Sequence, residues 1–288
     1  MMTLPDLAGR LALRPHGRSW RGACPACGYA GTFAMRSGRG DAVQMFAACG
    51  CTRDDLVDAV RRVAGGEALP GARPAPDPQD MQARRAGQRD KALRLWAGSE
   101  AAAGTIADAY LTGRALGGLA ASSVLRFRGD CPHPEGGKLP ALVALVVDVA
   151  GQPLAVHRTY LRRDGSGKAA ITPDRATLAP VWGGAIRLDA VAPEMVIGEG
   201  IETSASAGRL LGLPAWAAIA TGNLARGVVL PPEVRAVVIA ADADPPGEAA
   251  ARTAALRWSA EGRTVRIARP AHADHDFNDV LRARAEVV

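Results

Sequence analysis

Ala236–Ala251 reads AVVIAADADPPGEAAA, and this stretch decides how the chain is understood. An apolar run, Ala236–Ala241, stops at Asp242-Ala243-Asp244. Pro245, Pro246 and Gly247 break the chain, and an alanine-rich helical pattern starts at Glu248. The order is strand, loop, helix. Carboxylates at the carboxyl end of a buried strand stand where open α/β sheets place their sites. Asp242 and Asp244, at i and i+2 of an extended segment, point to the same side and can reach one ion. Hard oxygen ligands of this kind suit Mg²⁺. Without an ion, the same residues read as a solvated acidic loop with an N-capping carboxylate.

A second stretch repeats the pattern. Met195–Leu211, MVIGEGIETSASAGRLL, runs from a short apolar strand through Gly198-Glu199-Gly200 into a helix. The flanking glycines leave room for close backbone approach at Glu199. Glu199 also fits a simpler role, an acid at a helix N-terminus. From Val191 onward strands and helices alternate. Strands are expected at Met195–Gly198, Ala215–Ala220, Ala236–Ala241 and Val265–Ala268, and helices at Glu202–Leu211, Glu248–Glu261 and Asn278–Arg284. Such alternation predicts a mostly parallel sheet covered by helices on both faces. After the second strand, Thr221-Gly222-Asn223 offers a hydroxyl and an amide to a phosphate, or simply turns the chain.

Strand-Glu-Gly-helix followed by strand-Asp-x-Asp-x-x-Gly-helix resembles the Toprim domain, shared by DnaG-type primases, type IA and type II topoisomerases and some nucleases. IGEGIETSASA carries the glutamate motif through Glu199 and Gly200, and IAADADPPGEAAA carries the DxD motif through Asp242, Asp244 and Gly247. DHDFNDVL, Asp274–Leu281, is similar to the closing segment of Toprim primases of plasmids and phages. YLTGRAL, LVALVVDVAGQPLAVHRTYL and WAAIATGNLARGVVLPP are similar to further segments of that group, so the resemblance covers most of the chain from Tyr110 onward. It implies a Rossmann-like Toprim core and a DNA primase that makes short RNA primers on a single-stranded DNA template from nucleoside triphosphates. Glu199, Asp242 and Asp244 are then catalytic and, with Asp276, hold Mg²⁺ or Mn²⁺; Glu202 and Asp279 lie close by. Arg126, Arg158 and Lys168 are implied contacts for nucleotide or template, and Asn223 joins them.

The remaining chain fits this picture. The net charge of +6 and a pI near 9.4 are compatible with a polyanionic partner. No apolar run spans a bilayer and no signal segment opens the chain, so a cytoplasmic protein without membrane attachment is expected. Cys24-Pro25-Ala26-Cys27 and Cys49-Gly50-Cys51 form two thiolate pairs that can close a tetrahedral, structural Zn²⁺ site. Thr32–Met35 and Gln44–Ala48 are expected as the strands of a zinc ribbon, followed by a short amphipathic helix at Asp54–Val63. The ribbon resembles the template-recognising zinc domain that precedes the primase core in bacteria. Arg18, Trp20, Arg21, Arg36 and Arg39 surround it. Gly65–Asp80 is rich in proline and glycine and predicts a flexible linker.

The expected organisation is a zinc-ribbon DNA-binding domain over 1–64, a linker over 65–80, a helical and α+β N-lobe over 81–190 and a Toprim domain over 191–288. Within the N-lobe, Met81–Ala103 has helical character. Strands follow at Val124–Phe127, Ala141–Val149 and Pro153–Leu161, the last two joined by a hairpin at Ala150-Gly151-Gln152. Arg158, Arg162, Arg163, Lys168 and Arg175 form a cationic cluster suited to phosphates. Gly165-Ser166-Gly167-Lys168 is an incomplete P-loop, with Arg162 and Ala169 at the positions that need glycine and serine or threonine, so a fused helicase is excluded and any replicative helicase would be a separate partner. Other classes stay open: a Toprim nuclease, or a noncatalytic DNA-binding replication protein of a plasmid or phage. A topoisomerase is disfavoured because the chain lacks room for a gate carrying a nucleophilic tyrosine.

Overall fold

Thr3 opens the first helix through a reciprocal cap: its hydroxyl accepts from the Asp6 amide (3.3 Å), and the Asp6 carboxylate accepts from the Thr3 amide (3.1 Å). The computed structural model describes residues 2–26, 28, 31–38, 43–47, 53–65, 78–271 and 275–285. The chain divides into two compact units, Met1–Pro78 and Gln79–Val288.

In the first unit, α1 (Leu4–Arg10) precedes four antiparallel strands, β1 (Arg14–His16), β2 (Ser19–Gly22), β3 (Phe33–Ser37) and β4 (Val43–Ala47), in that order across the sheet; α2 (Arg53–Ala64) follows. Strand alternation turns Phe33 and Met35 inward onto Leu7, Leu56 and Val60. The hairpin β3–β4 and the helix α2 match the sequence expectation. β1, β2 and α1 add to it, because short exposed strands carry no period-2 apolar signal. Cys24 is buried in this core, whereas Cys27, Cys49 and Cys51 lie outside the described residues.

The second unit opens with α3 (Pro78–Ala97), which starts inside the stretch expected as linker and ends short of Ala103. Glu100 and Ala101 instead form β5 (Glu100–Ala101) on the edge of a sheet. After α4 (Ile106–Gly113), β6 (Leu125–Pro132), β7 (Lys138–Val147), β8 (Pro153–Tyr160) and β9 (Arg175–Leu178) complete an antiparallel meander, β5-β6-β7-β8-β9. The hairpin at 150–152 is held by the Asp148 carboxylate, which accepts from the Ala150 and Gln152 amides. The sheet feeds two cores, one on each face. Ala141, Val143, Val156 and Tyr160 pack with Ala92, Leu95 and Trp96 of α3. Leu142, Ala144 and Val146 pack with Tyr110, Leu111 and Leu116 on the other face.

A second sheet follows, built from β10 (Ile186–Arg187), β11 (Glu194–Gly198), β12 (Ala215–Ala217), β13 (Ala236–Ala240) and β14 (Thr264–Ala268). Its spatial order is β10-β12-β11-β13-β14, parallel except for β10 against β12. The connections are α5 (Ile201–Leu211), a π-helical turn at Asn223–Gly227 and α6 (Pro245–Ala260), and α7 (Phe277–Ala285) closes the chain. Val196, Val238 and Ala240 face Ala207 of α5 and Phe277 of α7. Met195, Ile197, Val237 and Ile239 face Leu224 of the π-turn and Ala251, Ala254 and Trp258 of α6. Strands buried on both faces explain the unbroken apolar runs of the sequence.

The two sheets are not separate bodies. Val147 and Ala185 exchange backbone hydrogen bonds of 3.0 and 2.9 Å, and Ile186, Ile201, Ala205 and Ala217 share one core with Leu142, Ala144 and Val146. β10 lies inside the stretch expected as N-lobe yet serves as the antiparallel edge strand of the parallel sheet.

Candidate metal and nucleotide site

The parallel strands give the site its place. β11 and β13 are neighbours, with Gly198 opposite Ala240, so Glu199 and Asp242 leave the same edge of the sheet. The chain passes from β11 to β12 on one side and then crosses to β13 on the other. Such a reversal of strand order opens a crevice at the strand carboxyl ends, where ligands of open α/β sheets bind. Gly198 is required for the fit, because a Cβ there would lie 2.8 Å from Ser204 Oγ and 3.3 Å from the Ala240 carbonyl.

Each carboxylate has its own support. Thr221 donates its hydroxyl to Glu199 Oε2 (2.7 Å), and Thr203 of α5 donates to Asp242 Oδ1 (3.2 Å). Asp244 caps α6, its Oδ1 accepting from the Gly247 amide (2.7 Å). Asp276 and Asp279 cap the start of α7 reciprocally, each accepting from the other's amide. Burial pushes the Glu199 carboxyl above its ordinary pKa, and the charges of Asp242 and Asp244 add to the shift. Burial likewise raises Asp242, helped by Asp244 and Asp276. Neighbouring acids thus bear on Glu199 and on Asp242, while the Arg175 guanidinium opposes the rise at both. Beside the site, Ile219 has φ +70°, a left-handed conformation that costs a β-branched residue energy, and its amide donates to the Glu199 carbonyl (2.7 Å).

A second charged group lies in the first turn of α5. Glu202 is buried, accepts from the Tyr110 hydroxyl and pairs with Lys168 Nζ at 3.2 Å. Burial works most strongly against its charge, yet the Lys168 ammonium and the Tyr110 hydroxyl hold its pKa down to about 2. Burial, reinforced by the Glu202 charge, raises the Tyr110 phenol. His157, buried on β8, is lowered to about 4 by desolvation.

The other expected contacts have different surroundings. Arg158 is only 6% exposed, and its guanidinium donates to the carbonyls of Pro132 (2.9 Å) and Thr177 (3.2 Å). Asn223 is 1% exposed and fully engaged: Oδ1 accepts from the Gly183 amide, and Nδ2 donates to Gly184 and Ala218 carbonyls. Both side chains are thus engaged by backbone groups within the protein. A polar type alone carries no information on which side of a strand or turn it falls. Arg126 stacks over Trp96 at 4.5 Å and donates to the Trp96 and Ser99 carbonyls. Lys168 is spent on Glu202. Arg175, exposed on β9 opposite Thr159, is the cation that bears on the carboxylates. The sequence singled out Arg175 only as one of a cluster, and gave no sign of Thr203 or Thr221 as supports.

All the acids present hard oxygens, a donor set that fits a divalent ion such as Mg²⁺. Among the described residues, no three His, Cys, Asp or Glu side chains stand close enough to enclose an ion as they are placed. No helix of the described residues is long and apolar enough to cross a membrane.

Residues 194–286 match the Toprim domain family, and residues 86–188 match a domain of unknown function (DUF7146). No curated protein matches the chain. Solved structures that align with the chain include a DnaG primase catalytic domain bound to ssDNA, at 14% identity and a TM-score of 0.49 over 70% of this chain and 78% of that one. The Aquifex aeolicus primase, with its zinc-binding and RNA polymerase domains, aligns at 14% identity and a TM-score of 0.47 over 98% of this chain and 81% of that one. A DNA primase domain from Pseudomonas aeruginosa aligns at 16% identity and a TM-score of 0.44 over 69% and 78% of the two chains.

Proposed function

With residues 194–286 a Toprim domain, we propose that this chain is a DNA primase that joins ribonucleotides into short primers on a single-stranded DNA template. One observation carries the reading: Glu199 and Asp242 leave adjacent parallel strands at the crevice of the sheet, where burial and neighbouring carboxylates hold both pKa values up and Arg175 bears on both. Glu199, Asp242 and Asp244, joined by Asp276, would hold Mg²⁺ or Mn²⁺. When bound, such an ion acidifies the primer 3′-hydroxyl and neutralises the triphosphate. Thr203 and Thr221 orient the carboxylates, and Arg175 supplies a fixed positive charge for the phosphates. Arg126 and Lys168 keep the N-lobe and α5 in place behind them.

In the first unit, Cys24, Cys27, Cys49 and Cys51 would hold a structural Zn²⁺, and the ribbon would engage the template. Cys24 itself begins a tight turn, its carbonyl accepting from the Gly28 amide (2.7 Å). A separate helicase would open the duplex. The test is purified protein with Mg²⁺, nucleoside triphosphates and single-stranded template. Primers made by the wild type and lost in Asp242→Asn and Glu199→Gln support the reading. Cleaved template indicates a nuclease instead, and template retained without product indicates a noncatalytic DNA-binding protein.

A further inference from the structure

Trp182 is half exposed, unusual for the largest apolar side chain. Ala179, at φ +74°, begins the loop in a strained left-handed conformation. The buried Asn223 side chain fastens it, accepting from the Gly183 amide (2.9 Å) and donating to the Gly184 carbonyl (2.9 Å). The Trp182 ring rests on Gly227, where a Cβ would come within 3.1 Å of Cδ2. Strain and a buried amide thus fix an indole face toward solvent, where burial would otherwise be favourable.

The platform belongs to the connection that supports the carboxylates. Asn223 also donates to the Ala218 carbonyl (2.8 Å), and between these two residues lie strained Ile219 and Thr221, which bonds Glu199. Gly227 follows Thr221 by six residues on the same short helical connection. Arg226, next to Gly227, is exposed and has no hydrogen bond or ion pair among the described residues. Neither 175–188 nor 218–232 contains an acidic residue, so the surroundings favour an anion. A flat aromatic face on Gly227, with an unpaired arginine next to that glycine in the chain, suits a nucleobase with its phosphate.

We propose that Trp182 is a base-stacking platform beside the carboxylate site, holding one nucleobase while Arg226 meets its phosphate. The inference rests on the reading that this site handles nucleotides. The base comes from the template strand or from a free nucleotide, and two probes separate these sources. The intrinsic fluorescence of the full-length protein is titrated with an oligothymidylate and, separately, with ATP and Mg²⁺. Trp182→Leu covers Gly227 without a π-face, and Trp182→Phe keeps a ring. The expected result is a binding loss of roughly tenfold or more in Trp182→Leu for at least one probe, with its quenching, and retention within about threefold in Trp182→Phe. The weakened probe identifies the source. Wild-type affinity of Trp182→Leu for both probes overturns the proposal and leaves Trp182 as a contact for another protein. Equal losses in both variants, each with a lowered thermal midpoint, overturn it as well. Binding is read without catalysis, so a wild type that makes no primers fails the primase reading alone. Primer synthesis with no Trp182 effect fails only this one.

Discussion

Glu199 and Asp242 carry opposite consequences from Glu202, although all three acids border one turn of helix. The folded-state pKa values of Glu199 and Asp242 are raised. Their contribution to stability is therefore present below the unfolded values and is lost as pH rises through the folded ones. Metal-free protein at neutral pH thus holds a buried charge, crowded by like charges, that an amide would remove. Asp242→Asn should raise its thermal midpoint and, on the proposed primase reading, lower primer synthesis by more than roughly 100-fold, the scale of losing an electrostatic partner of the transition state. Calorimetry without metal, set beside a primer assay with it, checks both halves. Glu202, held down to about 2, contributes above its ordinary value of 4.5 and loses that contribution as pH falls toward 2. Lys168→Met would strand its carboxylate, at a cost of about 3 kcal/mol by denaturant titration. The result would distinguish a structural lysine from one that serves only phosphate, since loss of the latter leaves stability unchanged.

At the scale of elements, the close seating of α5 on the sheet depends on Gly208. A Cβ there would lie 2.8 Å from the Leu213 carbonyl and 2.9 Å from Ala215 Cβ. Helix propensity alone would make Gly208→Ala stabilising by about 1 kcal/mol. Overpacking against β12 costs about 1–3 kcal/mol, so a net loss of stability is expected, read as a lower denaturant midpoint. The parallel strands and their helices were legible in the sequence because β11 and β13 are apolar on both faces and end at acids. β10 was not, since two residues carry no period. The π-turn at Asn223–Gly227 was read as a phosphate contact or a chain reversal, its buried amide indistinguishable by type from an exposed one. Residue type and spacing placed Glu199, Asp242 and Asp244 at strand ends. They could not show that Arg158 turns into the α3 face while its neighbour His157 turns toward the Glu202 side.

On the scale of the whole molecule, the first unit has its own small core and, on the proposed reading, a metal in place of a larger one. Cys24→Ser, or chelation of the native protein, should release zinc and melt residues up to about 64, while amide signals of the second unit persist. Elemental analysis finding no zinc in the native protein would remove the basis for this expectation. The second unit behaves otherwise. The family matches end at residue 188 and begin again at residue 194, yet β10 and β12 pair across that gap, and Asp189 accepts from the Ala215 amide (2.9 Å). For anyone building chimeras between relatives, the natural-looking junction is therefore the wrong one. A crossover at residue 190 gives the parallel sheet an edge strand selected against a different neighbour, whereas one placed before Ala179 transfers strand and partner together. Soluble yield of the two chimeras would report where the inheritable unit begins.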